Sequence, residues 1–425
     1  MMYTLYNVAL YAVALVFSPI LLLMMLLNVC NLRQRFGFWN HSCDTPAQDV
    51  VWCHAASMGE VTALATVVHE LKKTLPQLSI AISTTTMTGQ NRARELIPSA
   101  ACIFLAPLDL HWAVHRVLRR LRPKALILTE TELWPNMTVQ ARRWGCNVGL
   151  INGRMSEKSV RRYRPVKGLM KHVLKGFQLV CVQTELDSDR FLVYGARPEN
   201  TVILGNIKFD MFRFLAALKT SHLTKESLRI APQSKVIVAG STRPGEEEVL
   251  LSSFSTIKED QDECVFILAP RHMDRISEVE HILLEHHLEF VKRSSLKTST
   301  RVTSGIILLD TMGELSQIYS LADVAFVGGS LVPLGGHNPL EPAMWGVPVL
   351  FGPHRQNIRH ITDLLIHEGG GLEIKSRDEF TTTVLQLLKN PDERKKRGEA
   401  AHRVVEAHSG VSSRTVRLLR EHGIV

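Results

Sequence analysis

The residues able to do chemistry in this 425-residue chain stand just after short apolar runs. In "CHAASMGEV" (53–61), Glu60 closes a turn of small residues that leads into a stretch with helical spacing. A strand-to-helix turn of this kind offers backbone N–H groups to a phosphate, and a carboxylate there repels one. The plainest role for Glu60 is to stabilise a helix N-terminus through the dipole, worth about 0.3–1 kcal/mol. "ETELWPN" (130–136) gathers Glu130 and Glu132 with Trp134 and Asn136. "STTTMTGQ" (83–90) offers hydroxyls to phosphate or sugar oxygens, or serves only as a helix cap. "NGRMS" (152–156) and "GNIKFD" (205–210) contribute Asn152, Arg154 and Lys208.

A second set follows later in the chain. "GSTRPGEEE" (240–248) places Gly240, Ser241 and Thr242 at a helix start, a suitable anion cradle. "PRH" (270–272) brings the Arg271 guanidinium and the His272 imidazole to the end of another run. "GGSLVPLGGHNPLEPA" (328–343) has four glycines that allow close backbone approach to a ligand, and it presents His337, Asn338 and Glu341. No HExxH or Asp/His cluster occurs, so no metal is expected. Neither a GxSxG elbow nor a Walker A sequence is present.

The elements that must position these residues are strands and crossover helices. Apolar runs at 49–55, 78–83, 101–106, 124–130, 146–151 and 178–183 alternate with amphipathic stretches such as "DLHWAVHRVLRRLRP". Continuous apolar runs mark parallel strands buried on both faces. The pattern predicts a doubly wound α/β domain, whose ligands bind beyond the carboxyl ends of its strands. A connection at 209–233 breaks the rhythm, which restarts at 235–240, 264–269, 304–310, 323–328 and 347–351. The expected organisation is therefore an N-terminal segment (1–35), a first Rossmann-like domain (36–208), the connection, and a second such domain (234–395). Charged helices over 396–425 would then pack back toward the first half. Two α/β halves with a cleft between them suit a two-substrate enzyme.

Composition sets the remaining bounds. With 45% hydrophobic and 21% charged residues the chain is globular. A net charge of +9 points to anionic partners: nucleic acid, a lipid surface or phosphorylated substrates. Nucleic acid is disfavoured, because stacking aromatics are not interleaved with the basic residues. Seven cysteines without a CxxC pair read as reduced core residues. No charge precedes Arg33, and Val8 to Leu27 is broken only by Ser18 and Pro19. A helix of that length rises about 30 Å, one hydrocarbon core. Arg33 and Arg35 would place the body on the cytoplasmic side. The basic run 161–175 is either a solvated face or a surface for anionic headgroups.

"SMGE", "ETELWPN", "GNIKFD", "GST..GEE", "PRH", "DTMGEL", "FVGGSL" and "GGHNPLEPA" stand here in the order of the Kdo transferases, which the chain resembles over essentially its whole length. Those enzymes move 3-deoxy-D-manno-oct-2-ulosonic acid (Kdo) from CMP-Kdo onto the lipid A precursor of lipopolysaccharide. The resemblance implies a GT-B fold, an inverting transfer without cofactor, and an inner-membrane enzyme with one N-terminal anchor and its body on the cytoplasmic face. It makes Glu60 the general base. Ser57, Gly59, Glu130, Glu132 and Arg154 would lie on the acceptor side. The donor would meet Lys208, Ser241, Thr242, Arg271, His272, Gly329, Ser330, His337, Asn338 and Glu341. Arg243 departs from the family's usual histidine after "GST". The rival readings are another GT-B enzyme, such as a UDP-sugar transferase or 2-epimerase, and a membrane-anchored basic scaffold without turnover.

Overall fold

The computed structural model describes residues 2–27, 29–39, 49–218, 223–296 and 302–425. It falls into two compact units, Met1–Met211 with Gly410–Val425, and Phe212–Ser409.

The first unit is built on a seven-stranded parallel sheet. Its strands are β1 (Val50–Ala55), β2 (Ser79–Thr84), β3 (Cys102–Leu105), β4 (Ala125–Thr129), β5 (Asn147–Gly153), β6 (Leu179–Val182) and β7 (Thr201–Ile203). They lie in the order β3-β2-β1-β4-β5-β6-β7. Every residue of β1 and β4 is buried, because helices cover both faces of the sheet; this is why the runs are continuously apolar. The chain reverses direction across the sheet between β1 and β4, so the loops after these two strands flank the crevice where such folds bind ligands.

The second unit repeats the plan with β8 (Lys235–Thr242), β9 (Cys264–Pro270), β10 (Phe290–Lys292), β11 (Gly305–Leu308), β12 (Val324–Val327), β13 (Val349–Phe351) and β14 (Gly371–Glu373). Their order is β10-β11-β9-β8-β12-β13-β14, again all parallel. Here the crevice falls between β8 and β12. Phe254, Phe266, Phe326 and Phe380 fill one face of this sheet, each worth about 1.5–3 kcal/mol of burial.

Local signals set the helix ends. Ser57 caps Met58–Thr74, and Thr86 caps Met87–Leu96 through its Oγ1, which accepts from Gly89 N. The threonine-rich turn thus serves helix capping at Thr86. The expected connection begins inside the helix Lys208–Leu218, and the division between the units falls within that helix. The last division is at Gly410, whose φ of +80° glycine adopts without strain. Only the helix Val411–Glu421 belongs to the first unit; Pro391–His408 stays with the second. Asp210 fixes that last helix by accepting from Gly410 N and Ser412 N, both at 2.6 Å.

The N-terminal stretch departs from the expected single helix. Met2–Val16 and Ser18–Leu26 are separate helices bent by 67° at Phe17. Pro19, in the first turn of the second helix, cannot continue an upstream helix. No single helix among the described residues is long and apolar enough to cross a membrane, although the bent pair passes that test by length and composition together. Leu15 and Val16 are 75% and 74% exposed. The opposite face is docked: Tyr6 Oη donates to Asp109 Oδ2 at 2.8 Å, and Tyr3 Oη to Asn136 Oδ1 at 2.6 Å. Beside it, the basic run forms Glu157–Tyr163 and Lys167–Leu174, with Leu169, Met170, Val173 and Leu174 buried and Arg161, Arg162, Arg164, Lys167, Lys171 and Lys175 exposed. The Tyr3 and His172 rings are 5.8 Å apart.

Cys53, Cys146, Cys181 and Cys264 are free and buried. Cys102 is disulfide-bonded, which corrects the expectation that all seven are reduced; Cys43 lies outside the described residues.

Candidate active site

The turn after β1 is closed by its own carboxylate. Glu60 Oε2 accepts from Ala56 N at 2.9 Å, and Ser57 Oγ donates to Glu60 Oε1 at 3.0 Å. Glu60 N in turn donates to Ser57 Oγ at 3.4 Å. The residues are those of a capping box, serine at the cap and glutamate three residues on, but the glutamate takes the N–H of Ala56, one residue before the cap. The space about it is open: a Cβ on Gly59 would meet nothing closer than Ser57 Oγ at 4.0 Å.

Glu130 and Glu132 arrive at the same crevice from the loop after β4. Glu130 has φ +58°, the left-handed region that a non-glycine residue adopts at a cost of about 1–3 kcal/mol. Its Oε1 stands 3.5 Å from Asn152 Nδ2, and Asn152 is itself left-handed at φ +53° at the end of β5. Burial raises the Glu130 carboxyl above its ordinary value, although Lys208 and Arg154 oppose the rise. Lys208, expected on the donor side, belongs to the first unit. Burial also acts to raise Glu132, but His54, the Trp134 indole and Arg162 outweigh it, and the net direction is down. Trp134 Nε1 donates to Glu132 Oε2 at 2.8 Å.

These surroundings decide the protonation of Glu60. Its carboxyl is pushed up to about 7, first by burial, then by the negative field of Glu130, with Glu132 adding to it. The hydrogen bonds from Ala56 and Ser57 work in the opposite direction and are outweighed. A carboxylate with this affinity is suited to take a proton near neutral pH.

In the second unit the end of β8 is strained at Ser241, φ +58°, where the β8–β9 register slips between Gly240 and Thr242. Thr242 is buried, and its Oγ1 has no partner among the described residues. The glycine-rich turn after β12 is already filled from within. Glu246 Oε2 accepts from Arg243 N at 3.0 Å and Gly329 N at 2.7 Å, and its Oε1 accepts from Ser330 N at 3.0 Å and Leu331 N at 2.9 Å. Ser330 Oγ is also engaged, donating to Val327 O and accepting from Gly352 N. The amides of Gly329 and Ser330, two residues expected at the donor, bind the protein's own carboxylate.

Positive groups gather next to that turn. Arg243 Nε donates to His337 Nε2 at 3.2 Å. Burial, then Arg271, Arg243 and His272, lower the His337 imidazole to about 4, so this ring is neutral and accepts the guanidinium proton. Among the described residues neither Arg243 nor Arg271 has a carboxylate partner, and Arg271 and His272 are exposed. Asn338 Oδ1 accepts from Leu340 N at 3.1 Å, which shapes its turn. Glu341 acts, after burial, to raise the phenol of Tyr319, and a Cβ on Gly240 would meet that hydroxyl at 1.9 Å. Glu341 is thereby placed near the end of β8.

His54, Glu246 and Asp109 were not singled out from sequence. Each leaves a trace there: a histidine inside the apolar run "VVWCHA", an acidic triplet just after "GSTRPG", and an aspartate in the otherwise apolar "LAPLDL".

Residues 30–211 match the model of a family described as 3-deoxy-D-manno-octulosonic-acid transferase (kdotransferase). The chain is 33% identical over 399 residues to the 3-deoxy-D-manno-octulosonic acid transferase of Haemophilus influenzae, covering 92% of this chain and 91% of that one. It is 31% identical over 367 residues to the protein of the same name from Chlamydophila psittaci, covering 86% and 83%. Among solved structures, UDP-GlcNAc 2-epimerase from Neisseria meningitidis bound to UDP-GlcNAc superposes with a TM-score of 0.64 at 16% identity, covering 88% of this chain and all of that one. That last likeness is one of fold.

Proposed function

This chain belongs to the 3-deoxy-D-manno-octulosonic-acid (Kdo) transferase family of glycosyltransferases, and on that premise we propose that it moves Kdo from CMP-Kdo to a hydroxyl of the lipid A precursor, with inversion and with Glu60 as general base. The observation that carries the reading is the Glu60 carboxyl held at about 7 beside Glu130 and Glu132. An ordinary carboxylate is too weak a base to share a hydroxyl proton efficiently; one tuned toward neutral pH contributes typically about 10²–10⁴-fold.

In the proposed step the acceptor oxygen attacks the anomeric carbon of Kdo as its proton passes to Glu60. The bond from that carbon to the CMP phosphate oxygen breaks, and CMP leaves with the electron pair. Charge grows on the departing phosphate, which Arg271 and Arg243 are proposed to meet; neither has a carboxylate partner among the described residues. Preorganised donors at such a position are worth several kcal/mol. A neutral His337 leaves the guanidinium of Arg243 directed and charged. Glu341 is proposed to hold the ribose diol, and Ser241, Thr242 and Asn338 to line the nucleotide. Gly329 and Ser330 act through the shape of their turn, since Glu246 occupies their amides.

The exposed apolar face of the bent N-terminal helices and the neighbouring basic helices support docking on the cytoplasmic face of the inner membrane. The apolar face would enter the acyl boundary while Arg161, Arg164 and Lys171 meet anionic headgroups, at about 1 kcal/mol per basic residue.

The test is direct. The protein is incubated with CMP-Kdo generated in situ and a lipid A precursor, and the product is weighed by mass spectrometry. A gain of one or more Kdo residues is expected. No gain, together with turnover of a UDP-sugar, would discard the reading.

A further inference from the structure

Beside Glu60 runs a chain of buried polar groups that the proposed step does not use. In the pairing of β1 with β2, His54 stands directly opposite Ser83, and Trp52, two residues earlier, projects from the same face of its strand. Trp52 Nε1 donates to Ser83 Oγ at 2.8 Å, and Ser83 Oγ lies 2.9 Å from His54 Nδ1. Trp52, His54 and Ser83 are fully buried. On the far side of the imidazole, Nε2 makes no hydrogen bond among the described residues, and Glu132 Oε2 stands 3.5 Å away.

The donor inventory fixes the protons. An indole N–H can only donate, so Trp52 takes a lone pair of the Ser83 oxygen. No other acceptor for the Ser83 proton is found among the described residues, so that proton points to His54 Nδ1. Nδ1 must then be the bare nitrogen, and a neutral ring carries its proton on Nε2, toward Glu132. A buried imidazole whose only purpose was packing would leave a costly unmade hydrogen bond at Nε2; a carboxylate at 3.5 Å gives that proton a destination.

We propose that His54 is a positioning residue, which uses its Nε2–H to hold the Glu132 carboxylate ionised and in place beside Glu60, with Ser83 fixing the tautomer. The inference rests on the reading of Glu60 as base, because Glu132 acts on the reaction through the field it imposes there. His54 touches no substrate in this account. Its effect passes through the carboxylate, as the neighbours of a catalytic histidine act through the ring they orient.

Two measurements on the full-length protein test it. Nitrogen-15 NMR of the histidine rings, with His54 assigned by its disappearance in His54→Asn, should show the Nε2–H tautomer with Nδ1 bare. A ring protonated on Nδ1 would overturn the proposal, and this readout does not depend on turnover. In the transfer assay His54→Asn, whose amide reaches Ser83 but not Glu132, should lower kcat by about 10- to 100-fold, with KM for CMP-Kdo and the melting temperature near wild type. His54→Gln, whose amide reaches the place of Nε2, should recover most of that loss. Equal activity of the two variants would sink the positioning role. If the wild-type protein transfers no Kdo, it is the proposed function that fails, and the NMR result still decides the His54 tautomer.

Discussion

Glu60 and Ser57 cap each other: the serine hydroxyl donates to the carboxylate at 3.0 Å and accepts the glutamate N–H at 3.4 Å. One side chain therefore serves both the helix start and the proposed base, and truncating it would confound the two. Glutamine closes a capping box as well as glutamate does, so it separates them.

Glu60→Gln should keep the helix start and CMP-Kdo binding while losing at least about 10²-fold in transfer. Glu60→Ala should lose the transfer and, in addition, about 1 kcal/mol of stability from the broken cap. Transfer kinetics paired with thermal melting read both quantities. Near-normal turnover in Glu60→Gln removes Glu60 as the base.

The pH dependence has a definite sign. With its carboxyl at about 7, Glu60 accepts a proton only above that value, so kcat/KM should rise through about pH 7. Glu130→Gln and Glu132→Gln each remove a negative charge beside it, which should move the acidic limb to lower pH, further for Glu130, the larger contributor. Stability runs the other way. The folded chain keeps a proton at Glu60 that the unfolded chain releases near its ordinary value of 4.5, so this group's contribution is present below that pH and is lost as pH rises through 7. Glu60→Gln should flatten that window in a melting series. An acidic limb unmoved by both substitutions contradicts the field assigned to the two carboxylates.

Eleven of the strands were legible as apolar runs because burial on both faces leaves no polar alternation to disguise them. The three missed, β7, β10 and β14, lie at sheet edges and are only partly buried, whereas β13, equally short, is fully buried inside its sheet and made a run. The carboxylates were legible as unusual residues after strands, yet their convergence was not. It depends on β1 and β4 being neighbours, and strand order is a property of the whole sheet. At the glycine-rich turn the sequence showed the glycines and hid their partner. Its amides do face an anion, but the anion is Glu246, a residue 83 positions away from Gly329. The apolar character of the N-terminal stretch was legible, and Pro19 left its course open; the bend at Phe17–Pro19 divides the run into two helices.

Glu246 yields a prediction of its own. Burial raises its carboxyl, and the N–H groups of Gly329, Leu331, Ser330 and Arg243 pull it back without fully offsetting the rise. Glu246→Gln would replace one accepting oxygen by an NH₂ and strand two of the four amides, at about 1–3 kcal/mol for each buried donor left unmade. The turn also carries His337, against whose ring a Cβ on Gly329 would come to 3.0 Å. The variant should therefore melt lower and bind CMP more weakly, by calorimetry, while Ser57 and Glu60 in the other unit are untouched. Unchanged CMP affinity would show that the turn's shape does not serve the donor.

Asp109 ties the N-terminal helices to the loop that bears the carboxylates. Its oxygens accept from Tyr6 Oη at 2.8 Å and from Asn136 N and Met137 N, both at 2.9 Å, at the start of Pro135–Arg143. Burial pushes this carboxyl up to about 6 against the pull of those three donors. Hydrogen bonds to a charged group are worth about 1.5–3 kcal/mol each, so Asp109→Ala should loosen both the docked helix and the segment carrying Glu132 and Trp134. Tyr6→Phe removes only the contact to the N-terminal helix. Tyr6→Phe should reduce binding to anionic vesicles while transfer to a detergent-solubilised acceptor stays near wild type; Asp109→Ala should reduce both. If the two variants behave alike in the detergent assay, Asp109 is a docking residue alone, and the link from the N-terminal helices to the Glu132 loop is absent.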